Sequence, residues 1–230
     1  MSIPVCIEQM ETRWIAYAVD LPGCFYSSED REASLANLPT AIAAYQNWCA
    51  QNGAPVGSPA VDPTAPLEVR EIIAEWVSPA TGEAVNAFFA ADVPPLTQAE
   101  VERAALLFEW TRRDLLDSLQ SVPAEARRKP VVGEWDIEGI FSHTLRADYL
   151  YTRAVVPISD WSEAPQDGLP ALLDWTQSLI LAALPGLVGQ SRVELVNGEF
   201  WSPRKFLRRA LWHRRDHIDH IAQFRTILQG

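Results

Sequence analysis

The chain has 230 residues, 48% hydrophobic and 21% charged, the composition of an ordinary globular protein with room for one large domain or two small ones. A net charge of −11 argues against a nucleic-acid-binding surface, and the absence of any run of ~18 apolar residues argues against a membrane span. The start, Met1-Ser2-Ile3-Pro4, lacks the basic and apolar regions of a signal peptide, and Cys6, Cys24 and Cys49 form no CxxC pair, which together read as a cytoplasmic protein with reduced thiols.

The first segment has the pattern of strands. Ile3 to Met10 and Trp14 to Val19 are short, rich in β-branched and aromatic residues, and separated by Glu11-Thr12-Arg13. Asp20-Leu21-Pro22-Gly23 turns the chain into a third strand, Cys24 to Ser27. Asp30 then caps a helix over Arg31–Gln51, with Ala33, Leu35, Leu38, Ile42, Tyr45 and Cys49 as its apolar stripe. The run Ala16-Tyr17-Ala18-Val19-Asp20-Leu21-Pro22-Gly23-Cys24-Phe25, followed by Glu32-Ala33-Ser34-Leu35-Ala36-Asn37-Leu38, resembles the HicB-type domain. That resemblance covers about the first fifty residues. It implies a three-stranded sheet with one helix packed on it, a module that in antitoxins binds a toxin partner. No DNA-binding motif follows it.

Residues 53–66 are rich in proline and read as a linker. Leu67 to Val77 is a strand, and Ala84 to Ala90 a returning strand after Pro79-Ala80-Thr81-Gly82; the pair either extends the first sheet or stands beside it. From Thr97 the period becomes helical. Thr97-Gln98-Ala99-Glu100 is a capping box for a helix to Leu119. Pro123 to Gly133 is a loop. Asp136 caps a helix over 137–156, and a third runs from about Leu169 to Leu184, with Pro170 in its first turn. A hairpin-like connection around Asn197-Gly198 leads to Ser202-Pro203, which opens the last helix. The expectation is α+β: residues 1–93 as a small antiparallel sheet with one helix, extra strands and a linker, then residues 94–230 as an up-down four-helix bundle.

Three of the four histidines lie in Trp212-His213-Arg214-Arg215-Asp216-His217-Ile218-Asp219-His220. Helical projection puts His213, His217 and His220 within about 60° of one another. Phe206, Ala210, Ile221 and Phe224 fall on or beside that face, so the imidazoles point inward and need partners. A divalent metal ion is one partner that would use them together. The fourth, His143, projects with Ile140, Ala147, Leu150 and Ala154, again towards the core. The cations Arg204, Lys205, Arg208, Arg209, Arg214 and Arg215 read as a solvated outer face. Trp135, Trp201 and Trp212 read as core or pocket wall.

Gly133-Glu134-Trp135-Asp136-Ile137-Glu138-Gly139-Ile140-Phe141-Ser142-His143 with Asp148-Tyr149-Leu150-Tyr151, together with Ser202 to Ile221, resembles the second and last helices of the DinB-like superfamily. The resemblance implies a four-helix bundle holding nickel, zinc or a similar divalent ion on three histidines, here His143, His213 and His217. It places His220 beside the site, with Asp216, Tyr151 and Trp212 as neighbours able to orient ligands or line the pocket. Three neutral imidazoles suit zinc, nickel, copper or iron and leave coordination open. Such an ion lowers the pKa of water to ~7 or deprotonates a thiol. Hydrolysis, or transfer of a low-molecular-weight thiol to a small electrophilic substrate, are the activities the resemblance implies. The competing reading is a non-enzymatic binding module in which the HicB-like part recognises a partner and the metal site is structural or vestigial. Homodimers are expected from the resemblance and from an open sheet edge.

Overall fold

The computed structural model describes residues 2–54, 61–74, 76–78, 82, 84–129 and 135–229. The chain forms two compact units, Met1–Pro94 with Ser191–Lys205, and Pro95–Gln190 with Phe206–Gly230. The stretch Ser191–Lys205, which the sequence places with the bundle, therefore groups with the first unit. Among the described residues no helix is long and apolar enough to cross a membrane.

In the first unit β1 (Ile3–Met10), β2 (Arg13–Ala18) and β3 (Phe25–Ser28) form an antiparallel meander, and α1 (Arg31–Gln51) packs on β2 and β3. Glu11, with φ of 53°, makes the first turn. Asp30 caps α1 by accepting from the Ala33 N–H at 2.7 Å. Ser34, Leu38, Ile42, Tyr45 and Cys49 are its buried face, so Ser34 stands where the sequence pattern favours Leu35. A fourth strand, β4 (Leu67–Ile73), runs parallel to β1 and completes the order β3-β2-β1-β4.

Central β1 is buried on both faces: Val5, Cys6, Ile7 and Glu8 are all inaccessible. Glu8 is held there by the Tyr17 hydroxyl, donating to Oε1 at 2.5 Å, and by the Ala87 N–H, donating to Oε2 at 2.7 Å. The run expected as one long strand divides after Ile73, and β5 (Trp76–Val77) pairs with β6 (Ala84–Val85) as a separate two-stranded ladder. The returning strand expected to Ala90 stops at Val85, and a 3-10 turn follows over Ala90–Asp92. Residues 55–60 of the expected linker and 79–81 of the expected turn lie outside the described residues, as do 130–134 of the loop before the second bundle helix.

A last hairpin, β7 (Glu194–Val196) and β8 (Glu199–Trp201), turns at Asn197 (φ 52°) and Gly198 (φ 79°), the paired positive φ of a type I′ turn.

The second unit is a four-helix bundle of α2 (Gln98–Gln120), α3 (Ile137–Val155), α4 (Leu169–Ala183) and α5 (Pro203–Gln229). The Thr97/Glu100 capping box opens α2, and Asp136 caps α3 by accepting from the Gly139 N–H at 2.7 Å. Asp136→Ala is expected to cost about 1 kcal/mol, read as a lowered urea midpoint at unchanged slope.

Leu115 and Leu119 of α2, Val122 just beyond its end, Ile137, Ile140, Phe141 and Leu145 of α3, Leu173 of α4, and Ile221 and Phe224 of α5 form one core. The next layer is joined by Arg214 of α5, which meets Phe108 and Thr111 of α2, Asp148 of α3 and Gln177 of α4. Between the two layers residue numbers rise along α2 and α5 and fall along α3 and α4. The helices therefore run up, down, down, up. The α3–α4 connection is long enough to carry the chain back across the bundle.

Helix α5 differs from an outer amphipathic helix. Lys205, Arg209 and Arg214, expected on a solvated face, are buried, and Arg204, Arg208 and Arg215 are half-buried. Each buried cation has a partner inside the fold. Lys205 Nζ donates to the Asn86 carbonyl at 2.9 Å and pairs with Glu199 at 2.8 Å, over the ring of Trp201. The Arg209 guanidinium lies 4.1 Å over the Trp212 ring. Leu150, expected in the core of α3, is 45% exposed, and Tyr149 takes the inward position against Trp175.

Candidate metal centre

Two helices aim three imidazoles at one point. His213 and His217 lie one turn apart on α5, and α3 runs antiparallel beside them and presents His143. The Nε2 atoms of His143 and His213 are 3.1 Å apart, as are those of His217 and His213. One ligand atom from each of the three lies within 4.8 Å of the other two. His213 is 5% exposed, and His143 and His217 are half-buried.

The donor set fits a divalent ion better than it fits hydrogen bonding within the triad. A neutral imidazole has one N–H and one in-plane lone pair. The single lone pair of His213 Nε2 cannot point at both neighbours, so hydrogen bonds alone leave one 3.1 Å contact poorly directed. An ion placed among the three nitrogens takes one lone pair from each. Zn–N bonds of about 2.0–2.1 Å in tetrahedral geometry set donor atoms ~3.3 Å apart, close to the two short separations here. Burial holds the pKa of His143 below its ordinary value, which keeps that ring neutral and its lone pair available at neutral pH.

The other residues expected at the site divide into two groups. Tyr151 stands edge-on to His213 at 5.7 Å between ring centroids, and its hydroxyl accepts from Arg209 at 3.4 Å. Trp212 is fully buried, with its ring 5.8 Å from that of His213. His220 lies outside the three-donor cluster: it stacks on His217 at 5.9 Å and meets Phe224 edge-on at 4.5 Å. Asp216 is half-buried on α5.

Two features were not read from the sequence. Trp135, expected in the core or a pocket wall, is 55% exposed and sets its ring edge-on to His143 at 4.7 Å. Gly139 leaves room for the Asp136 cap beside it, because a Cβ there would meet Asp136 Oδ1 at 3.1 Å. The second is the ion pair between Arg214 and Asp148, both wholly buried, one residue along the helix from His213. Its signal in the sequence is a carboxylate in the apolar face of α3 and an arginine in the middle of the last helix.

No family model matches the chain, and no curated protein matches it. Among solved structures the chain is similar to YfiT from Bacillus subtilis, described as a probable metal-dependent hydrolase with an unusual four-helix bundle topology. The identity is 18% and the TM-score 0.45, over 64% of this chain and 94% of that one. A likeness that distant says nothing about chemistry, which rests on the geometry above.

Proposed function

We propose that His143, His213 and His217 hold one divalent transition-metal ion, and that the protein is a metal-dependent enzyme of the DinB-like superfamily acting on a small molecule. The observation that carries this reading is the convergence of three imidazole donors from two antiparallel helices within 4.8 Å. Three neutral ligands leave coordination open, and the ion would supply Lewis acidity either to water for hydrolysis or to a low-molecular-weight thiol for transfer to an electrophile.

The chain's own residues do the rest. His143 stays neutral through burial, and Tyr151 and Trp212 wall the buried side of His213. Trp135 offers an exposed aromatic surface beside His143, against which an apolar part of a substrate can lie. The first unit, with its HicB-like sequence, is proposed as a partner-recognition or dimerisation module of a cytoplasmic protein.

The test is elemental analysis of protein purified without chelator, followed by a screen of thiol conjugation and ester or amide hydrolysis. About one nickel, zinc or similar ion per chain and activity lost on chelation are expected. A protein with no stoichiometric metal that retains a specific macromolecular partner would replace the enzyme reading with the binding-module one.

A further inference from the structure

The metal donors are not held in place by apolar packing alone. Arg214 follows His213 directly, so its side chain leaves α5 about 100° round the helix from that imidazole. It is completely buried and bonds to the three other helices of the bundle. Its Nε donates to Asp148 Oδ2 at 2.8 Å, on α3. Its Nη1 donates to the Phe108 carbonyl at 3.1 Å and to Thr111 Oγ1 at 3.4 Å on α2, and to Gln177 Oε1 at 2.9 Å on α4. Thr111 and Gln177 are buried as well.

A guanidinium is a rigid planar fork, and acceptors on three helices fit it in only one rotation and one height of α5. Leucine and phenylalanine contacts lack that directionality, and an apolar layer tolerates repacking. A slip of one residue would move α5 by 1.5 Å and rotate it by ~100°, which would take His213 and His217 away from His143. Metal sites tolerate only about 0.2–0.5 Å.

The hub is also costly. It takes two charges out of water, and Asp148 Oδ1, Gln177 Nε2 and Arg214 Nη2 have no hydrogen-bond partner among the described residues. An apolar layer of the same volume avoids that cost, so stability alone is a poor reason for the hub.

We propose that Arg214, through Asp148, Gln177, Thr111 and the Phe108 carbonyl, is the positioning residue that sets the register of α5 and brings His213 and His217 to His143. The value of the hub as a metal-site device rests on the metal-binding reading above, whereas its effect on imidazole position does not.

The experiment uses the full chain, treated with chelator, as wild type, as Gln177→Leu and as the double variant Asp148→Leu with Arg214→Met. Nuclear Overhauser contacts among the three imidazoles report their approach in metal-free protein. A Co(II) titration then reads affinity and the ligand-field spectrum. The double variant is expected to fold, lose the His143–His213 contact, and bind Co(II) at least ~10-fold more weakly with a shifted spectrum, and Gln177→Leu to show the same changes more weakly. A double variant that folds with imidazole contacts and Co(II) spectrum unchanged overturns the proposal. If it does not fold, Gln177→Leu decides: unchanged ring contacts overturn the proposal and weakened ones support it. Wild type that binds no Co(II) defeats the metal reading, while the ring contacts still decide the role of Arg214.

Discussion

Replacing His213 by alanine is expected to leave the purified protein without bound divalent metal. His213 is the shared member of the triad, 3.1 Å from each of the other two donors, so its loss leaves His143 and His217 without the nitrogen between them. Two imidazoles do not make the closed side of a stable site, and the fall in affinity should exceed the ~10–100-fold typical of losing a residue that only orients a ligand. The measurement is metal content by elemental analysis with a competition titration on the same sample. Thermal unfolding supplies an independent reading. A ligand present at 100 times its dissociation constant stabilises the folded state by about 2.7 kcal/mol, so wild type should melt higher with added metal than with chelator. His213→Ala should melt at one temperature in both. A variant that retains one ion per chain would show that the ion sits elsewhere.

The second large effect is on stability. Arg214→Met leaves Asp148, Gln177 Oε1, Thr111 and the Phe108 carbonyl without their common donor in a fully buried layer. Breaking a buried pair by removing one partner costs roughly 3–5 kcal/mol.

The pH dependence of that loss has a defined sign. In wild type burial pushes Asp148 up to about 6, against the opposing pull of Arg214, the charged group that faces it. Its folded value lies above its unfolded one, so the folded state holds the proton longer. The stability contributed by this group is full at acid pH and falls as pH rises towards about 6. Without Arg214 the opposing pull is gone and the carboxyl rises further. The deficit of Arg214→Met relative to wild type should therefore be largest near pH 7.5 and shrink near pH 5. Urea unfolding at the two pH values checks this, and a deficit that grows on acidification would contradict the assignment.

The helices and their ends were legible because their causes are local. Thr97, Asp136 and Ser202 announce α2, α3 and α5 through side chains that reach N–H groups three residues on, and each cap is found where the sequence puts it. The meander and α1 were legible for the same reason, through Glu11-Thr12-Arg13, Pro22-Gly23 and the Asp30 cap. All four histidines were legible as candidates, because positions sharing a helix face can be projected and an imidazole on an apolar face needs a partner, while the choice of His143, His213 and His217 among them came from the DinB-like resemblance.

The misreadings have two causes. Helical projection assigns a cation to solvent because a charge is costly to bury, and that prior fails when the acceptor comes from a distant segment. Arg214 is inside because Asp148, Gln177 and Phe108 are waiting there, and Lys205 because Glu199 and Asn86 are. Leu150 faces outward, and Trp135 lies beside His143 as a wall and not in the core, because an apolar side chain carries no mark of which edge of its stripe faces a neighbour.

By itself the sequence determined the element types, their caps, the α+β class and which helix faces carry the histidines, since these follow from periodicities and hydrogen bonds spanning a few residues. Only the tertiary structure decided that β4 pairs with β1, that the bundle runs up, down, down, up, and that His143 reaches His213 while His220 turns to Phe224. Those outcomes depend on contacts between residues dozens of positions apart, whose geometry is set by the packing of whole helices and strands and leaves no local trace in the chain.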